Sequence, residues 1–215
     1  MLGFRLLSDA GMTFARVFVG WASGAILGIA VGLLMSASQM FLAIGNPIIE
    51  ILRPLPPIAL IPFFIIWFGL GISGQIGLIA LGSLMVLAVT TYAAVNNVAS
   101  VYVRAAASLG ASRIAIYRWI LLPAATPSIG AAFRVSAALA FATGVAAEFM
   151  GAQSGLGFLI MVARRTLNTN TILLGTLLLA AESYLMDIGI RAFNAYLCRW
   201  SESPVADIRK SRAFL

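Results

Sequence analysis

The sequence has no histidine and a single cysteine, Cys198, among its 215 residues. Without histidine, the chain lacks the usual imidazole acid or base, the commonest metal ligand and a member of the Ser-His-Asp triad. One cysteine is too few for a disulfide framework or a cysteine-cluster metal site. We therefore expect no catalytic residues, no bound metal and no cofactor, which argues against an enzyme.

Charged residues are also scarce: they make up 10% of the chain, whereas hydrophobic residues make up 61%. A soluble domain carries about 25% charged residues, so this chain has too little polar surface for a soluble enzyme and is too hydrophobic for disorder. The net charge of +7 comes mostly from arginines that stand singly or in pairs between apolar runs. That pattern indicates charged loops beside a lipid membrane and no nucleic-acid partner.

Long apolar segments predict an all-α integral membrane protein that forms one domain over residues 1–215. A membrane-spanning helix needs about 20 mostly apolar residues, and the 50 residues from 54 to 103 have no charged side chain, enough for two spans. Glycines within 69–74 mark the break between these two spans, and Gly45-Asn46-Pro47 predicts an earlier turn. Five spans are expected: 14–35, 58–68 with its flanks, 75–95, from Pro123 to about 147, and 171–197.

The distribution of arginine and lysine predicts the orientation of these spans. Eight basic residues fall on one side of the membrane and four on the other, and the positive-inside rule places the larger group in the cytoplasm. The C-terminal tail, residues 199–215, is then cytoplasmic, while the N-terminus and residues 151–165 are external. The larger group is Arg53, Arg104, Arg113, Arg118, Arg199, Arg209, Lys210 and Arg212, and the smaller is Arg5, Arg16, Arg164 and Arg165.

The stretch from Arg104 to Pro123, RAAASLGASRIAIYRWILLP, predicts a helix, a stop and a second helix. Its alanine-rich start favours a short helix. Gly110 can adopt the left-handed conformation that ends a helix, and Ser112 can cap a new helix that begins at Arg113. A short helix lying across the cytoplasmic ends of the spans offers a surface on which another protein can dock.

These residues resemble the cytoplasmic signature loop of permease subunits in binding-protein-dependent ABC importers. That pattern runs Glu-Ala-Ala, three residues, Gly, nine residues, Ile, one residue, Leu-Pro. The matching residues are Ala105, Ala106, Gly110, Ile120, Leu122 and Pro123, whereas Arg104 stands in place of the glutamate. Two further stretches, 52–71 and Glu148 with 151–160, resemble the nitrate/sulfonate/taurine branch, so that the likeness extends from about Thr13 to Trp200.

The resemblance implies the permease subunit of an ATP-driven importer in the bacterial inner membrane, carrying a small solute such as a sulfonate, taurine or nitrate. Its implied partners are ABC ATPase subunits, a second permease chain that is identical in a homodimer, and an external substrate-binding protein. A thiamine precursor or a riboflavin-like solute is an alternative, as is a secondary carrier without an ATPase. The family usually has a sixth, N-terminal span, so we expect a misplaced start or a truncation in preference to a five-span variant.

By the same resemblance, residues 99–119 form the coupling loop that contacts the ATPase. Its candidate contact residues are Arg104, Ala105, Ala106, Ser108, Leu109, Gly110, Ser112 and Arg113, followed by Pro123. The arginine at 104 has two explanations. Either the partner ATPase presents an acidic or neutral residue there, or the side chain faces solvent and matters little.

Three charged residues within or beside the spans are candidates for the transport pathway: Arg134, Glu148 and Glu182. For Arg134, a contact with an anionic solute competes with a structural ion pair to Glu182 or Asp187. Glu148 either helps to close the outer end or contacts the binding protein, and the alternative is a structural role in which it accepts hydrogen bonds from loop amides. A separate stripe of small residues, Gly20, Gly24, Gly28 and Gly32, predicts close helix packing within the chain or between two copies.

Overall fold

The computed structural model describes residues 2–199 of the chain, and within this range it is helical and contains no strand. The predicted all-α fold is therefore confirmed. Most of the predicted tail, with Trp200, Arg209, Lys210 and Arg212, lies outside the described residues. The helices are α1 Leu2–Ala37, α2 Gln39–Leu52, α3 Ile61–Phe68, α4 Ile72–Asn96, α5 Ser100–Ser108, α6 Arg113–Ile116, α7 Leu122–Gly151, α8 Leu156–Arg165 and α9 Thr169–Leu197, with a 3-10 turn at Pro57–Leu60 and a π-helical turn at Tyr117–Leu121.

Four of the described helical segments are long and apolar enough to cross a membrane alone, and a bent pair of shorter segments supplies a fifth crossing. The four are α1, α4, the continuous Arg113–Phe149 segment and α9. The bent pair joins α2 to the segment Pro57–Phe68 at an angle of 86°. The expected five crossings are thus present, and the second of them is broken in the middle.

Helices α1 and α4 pack side by side in the same direction, and the glycine stripe lies between them. A Cβ added at Gly24 would lie 2.2 Å from the carbonyl oxygen of Ala80, and one at Gly28 would lie 2.6 Å from that of Leu84. The stripe therefore serves packing within the chain. Because both helices run the same way, the chain must cross the membrane once between them, and the bent segment makes that crossing.

Helix α7 completes the centre of the bundle against α1 and α4. The core contains Val17 of α1, Ile79 and Leu87 of α4, and Phe141 of α7, all buried. The indole nitrogen of Trp21 also donates a hydrogen bond of 2.9 Å to Ser136. Helix α9 lies at the edge of the bundle and exposes most of its apolar residues, so one face of the single chain is left uncovered.

The turn expected at Gly45-Asn46-Pro47 is wrong, because α2 continues through all three residues. Packing explains the difference. Ile49 is buried in a cluster with Met35 and Ala88, and a Cβ at Gly45 would lie 3.0 Å from the sulfur of Met35. The glycine thus admits a neighbouring side chain, and tertiary contacts outweigh the weak local preference for a turn.

The depth of Arg53 also differs from the expectation. The charge count places this arginine in a cytoplasmic loop, at the end of a short apolar segment. In the structure it follows α2 at the break of the bent crossing and lines a cavity with Met85 and Val86. These residues adjoin Leu84, the middle residue of α4, so Arg53 lies at the level of the middle of that span.

Candidate functional site: a coupling segment and two charged clusters

The coupling segment, residues 99–119, has the predicted helix–stop–helix form. Helix α5 is followed by Gly110 with φ +80°, and α6 begins directly after Ser112. The hydroxyl oxygen of Ser112 accepts a hydrogen bond of 3.3 Å from the amide of Ala115, as a helix cap does. Both conformational expectations are confirmed, because the glycine and the serine have local preferences that no distant contact overrides.

The turn between α5 and α6 presents apolar side chains outward. Leu109 is 88% exposed and Ile114 is 79% exposed. Arg104, Ala105, Ser108 and Arg113 are exposed too, whereas Ala106 is buried. Ser108 donates to the carbonyl of Arg104, so its hydroxyl is used within α5. Leu109 and Ile114 therefore form an exposed apolar tip, with Arg104 and Arg113 beside it.

The π-helical turn that follows α6 ties the coupling segment to α1. The hydroxyl of Tyr117 lies 2.9 Å from the carbonyl oxygen of Leu33 and 2.9 Å from the hydroxyl of Ser36. Sequence analysis did not single out Tyr117, because a tyrosine between two helices carries no distinctive spacing. Pro123 is the second residue of α7, directly after the π-helical turn and inside the continuous Arg113–Phe149 segment, where a proline removes one amide donor from the helix.

Arg134 forms an ion pair with Asp187 across α7 and α9. Its Nε lies 2.7 Å from Asp187 Oδ1, and Arg191, one turn further along α9, bonds the other oxygen with its Nε at 2.8 Å. We call Arg134, Asp187 and Arg191 the middle cluster. Asp187 thus pairs with Arg191 as well, and it is Asp187 rather than Glu182 that is the partner of Arg134. Arg134 is nevertheless 48% exposed in the single chain.

Glu182 stands apart from the middle cluster. Its Oε2 atom is buried, and among residues 2–199 it has no hydrogen-bond partner. A buried carboxylate oxygen without a partner is costly.

Glu148 lies at the opposite end from the coupling segment, in a buried cluster that we call the outer cluster: Thr13, Arg16, Glu148, Ser154 and Gly157. Glu148 is 2% exposed and Arg16 is 5% exposed, with 2.8 Å between Oε1 and Nη1. The carboxylate also accepts from the hydroxyl of Thr13 at 2.9 Å and from the amide of Gly157 at 2.8 Å. The expected hydrogen bond to a loop amide is therefore present.

Arg16 belongs to the outer cluster as well, although the sequence indicates it only as an external charge and not as a site residue. Its guanidinium donates to the backbone oxygen and the hydroxyl of Ser154, both at 2.7 Å. The glycines of the loop could have indicated the buried carboxylate. Gly155 has φ +114°, and a Cβ there would lie 2.5 Å from Glu148 Oε1.

No group of three or more histidine, cysteine, aspartate or glutamate side chains is placed to hold a metal ion within the described part of the chain. The ion pairs among the described residues are Arg16–Glu148, Arg134–Asp187 and Arg191–Asp187.

Comparison with known proteins shows the family to which this chain is similar. Residues 24–197 match the family model described as binding-protein-dependent transport system inner membrane component. The taurine transport system permease protein TauC of Escherichia coli K12 is 37% identical over 188 residues, which cover 87% of this chain and 68% of that protein. The putative aliphatic sulfonates transport permease protein SsuC of Bacillus subtilis 168 is 31% identical, over 94% of this chain and 74% of that protein.

A more distant relative is also a transport permease, and a solved ABC transporter has a similar fold. The nitrate import permease protein NrtB of Leptolyngbya laminosa is 28% identical over 80% of this chain and 62% of that protein. A structure of the MetNI methionine ABC transporter in an inward-facing conformation superposes with a TM-score of 0.76 at 22% identity, covering 90% of this chain and 96% of that one. At that identity, the likeness supports the fold.

Proposed function

The chain belongs to the family of binding-protein-dependent transport system inner membrane components, and from this premise we propose that it carries a small sulfonate, taurine or nitrate inward through the bacterial inner membrane. As a multi-pass permease subunit of an ABC importer it is a transport protein. The observation that carries the mechanism is the exposed apolar tip of the coupling segment, Leu109 and Ile114, because such side chains call for a protein partner.

That partner is an ABC ATPase, a separate subunit of the importer that hydrolyses the ATP. Its closure pushes on α5 and α6, and the bonds of Tyr117 to α1 pass the movement into the bundle. Arg104, Ser108 and Arg113 line the contact beside the apolar tip. Since Arg104 stands where the signature has a glutamate, the facing groove of the ATPase carries an acidic or neutral residue there.

The middle cluster lines the pathway, next to a second copy of the chain in a homodimer. Support comes from its exposure: charged side chains at the depth of a span face protein or water, because exposure to lipid is costly. Arg134 and Arg191 outnumber Asp187, so the cluster carries a net positive charge that favours an anion. Glu182, with its unpartnered oxygen, precedes Asp187 by five residues on α9, about 140° around the helix axis, so it does not share the face of this cluster.

The solute enters from an external binding protein that docks near the outer cluster, where Glu148 braces the loop 152–155. The ends of α1 and α4, the coupling segment and the tail then face the cytoplasm. The relatives named for taurine and for aliphatic sulfonates favour an organic sulfonate. A thiamine precursor or riboflavin-like solute stays an alternative with less support, and the family match favours an ATP-driven importer over a secondary carrier.

The test is to reconstitute the chain in liposomes with its ATPase and binding protein and to measure ATP hydrolysis with ethanesulfonate, taurine, nitrate and a thiamine precursor. We expect stimulation by at least one of the first three. Stimulation by the thiamine precursor alone would replace the proposed solute. Uptake without ATP hydrolysis would contradict the importer mechanism.

A further inference from the structure

The break in the bent crossing creates a partly open cavity beside the middle of α4. A cavity of about 230 Å³ lies between α4, α7 and the segment 52–60. Its walls include Gly82 and Met85 of α4, Leu139 of α7, Pro57 and Arg53. Gly82 allows the proline segment to lie close to α4, since a Cβ at Gly82 would lie 3.3 Å from the ring of Pro57. Pockets for drug-sized ligands measure about 300–1,000 Å³, so this cavity fits a solute of a few heavy atoms.

Among the residues that the structure describes, Arg53 is the one charged residue on the wall of this cavity. None of the ion pairs formed among residues 2–199 includes Arg53, in contrast to Arg16, Arg134 and Arg191. Arg53 is exposed in the single chain, and an arginine at the depth of a span is costly where it faces lipid, so that such residues face protein or water and mark solute pathways. A negatively charged ligand would supply the missing counter-charge, and the planar guanidinium matches the oxygens of an oxyanion.

The other residues of the cavity wall favour one class of oxyanion over the others. It is lined by leucine, methionine, valine and proline side chains, and the hydroxyl of Thr90 is already bonded to the carbonyl of Val86 at 2.7 Å. Nitrate has no apolar part to bury there. Taurine carries an ammonium group, and the wall, as far as the structure describes the chain, has no aspartate or glutamate to pair with it. An alkanesulfonate presents its oxygens to Arg53 and its alkyl group to the apolar wall.

We propose that this cavity is an intramembrane binding site for a small alkanesulfonate, held at its sulfonate group by Arg53. The inference rests on the proposed function and deepens it, because it names the solute class and the residue that binds it. Crossings broken near the midplane often supply the solute sites of transporters. The broken segment places its arginine there because prolines 54, 56 and 57 prevent the helix from continuing.

The first test compares ethanesulfonate-stimulated ATP hydrolysis by the reconstituted complex carrying the wild-type chain, Arg53→Gln, Arg53→Lys or the matched control Arg165→Gln, which removes an exposed arginine from the end of α8. We expect Arg53→Gln to raise the ethanesulfonate concentration for half-stimulation about tenfold, as loss of a charge-assisted hydrogen bond does. Arg53→Lys should retain most of the response and Arg165→Gln all of it.

The second test needs no variant of Arg53. In a Cys198→Ser background, Met85→Cys places a thiol in the cavity wall, and the anionic reagent 2-sulfonatoethyl methanethiosulfonate measures access to it. We expect ethanesulfonate to slow this labelling more than taurine or nitrate does. Labelling that ethanesulfonate does not slow would overturn the site even if Arg53→Gln fails to assemble.

The two proposals fail in different ways. If none of ethanesulfonate, taurine and nitrate stimulates the wild-type complex, the proposed function is wrong, whereas stimulation by nitrate alone leaves the importer and overturns the alkanesulfonate site. If ethanesulfonate stimulates wild type and Arg53→Gln with the same concentration dependence, the importer stands and the Arg53 site is wrong. If nitrate or taurine slows labelling of the Met85→Cys variant more than ethanesulfonate does, the alkanesulfonate assignment is wrong.

Discussion

The residues with the most constrained surroundings are Glu148 and Arg16, each almost fully buried and each the other's counter-charge. Neither charge is easily accommodated alone, because a buried ion without its partner loses hydration and gains nothing in return. This pair holds α1 against the end of α7 and the loop before α8. Its role is therefore first one of stability at the outer end of the bundle.

We predict that Glu148→Gln lowers the free energy of unfolding by about 3–5 kcal/mol, because it leaves Arg16 buried without a counter-charge. The double variant Arg16→Met, Glu148→Met should lose less, since it removes both charges and keeps the volume. Denaturant unfolding in detergent, followed by tryptophan fluorescence, measures the difference. A double variant that is less stable than Glu148→Gln would show that the cluster stabilises by its hydrogen bonds rather than by charge pairing.

Arg134 calls for a different experiment, because its partner Asp187 is known and its exposure in the single chain is high. We predict that Arg134→Gln assembles normally and transports the anionic solute more slowly, while Arg134→Lys keeps the charge and retains more transport. Uptake in proteoliposomes and size-exclusion chromatography of the complex measure the two effects. Full transport by an assembled Arg134→Gln would exclude a solute contact, and failure of both variants to assemble would make the ion pair structural.

At the scale of elements, the glycine stripe of α1 sets the distance between α1 and α4. We predict that Gly24→Ala destabilises the protein by about 1–3 kcal/mol, because the new methyl group meets the backbone of α4, which cannot rotate away. Gly11→Ala is the matched control, since a Cβ at Gly11 has no neighbour within 4 Å. Thermal unfolding in detergent compares the two. Equal stability of both variants would contradict the close packing of the helices.

The coupling segment depends on a backbone conformation rather than on a side chain. Gly110 has φ +80°, which a β-branched residue resists at a cost of roughly 1–3 kcal/mol. We therefore predict that Gly110→Val uncouples ATP hydrolysis from uptake, whereas Gly110→Asn, which tolerates this region, does so much less. Both activities are measured in the same proteoliposomes. Normal coupling in Gly110→Val would mean that the stop between α5 and α6 is not needed.

Elements with local signals could be predicted from sequence, and elements set by distant contacts could not. Gly110 and Ser112 determine their own turn, so the helix–stop–helix form was predictable. The Gly45–Pro47 stretch also carries a local turn signal, yet packing of Ile49 and Met35 holds it in α2. Likewise, nothing in the sequence pairs Arg16 with Glu148, which lie 132 positions apart, and the depth of Arg53 follows from the 86° bend.

At the scale of the whole molecule, α1 connects the two ends of the bundle. Its Thr13 and Arg16 belong to the outer cluster, and its Leu33 and Ser36 bond Tyr117 beside the coupling segment. The close packing of α1 on α4 makes the two helices one rigid unit between these ends. The coupling segment and the outer cluster are therefore connected through a single, closely packed pair of helices.

The orientation of this unit in the membrane is the remaining prediction. With Arg53 at the depth of a span, seven basic residues against four still place the coupling segment in the cytoplasm, and the structure puts Ser112 and Ser154 at opposite ends of the bundle, because α7 runs between them. A reporter that is active only outside the cytoplasm should be inactive when fused after Ser112 and active after Ser154. A fusion after Ser203, which lies outside the described residues, should also be inactive. An active fusion after Ser112 would reverse the orientation and with it remove the coupling segment from any cytoplasmic ATPase.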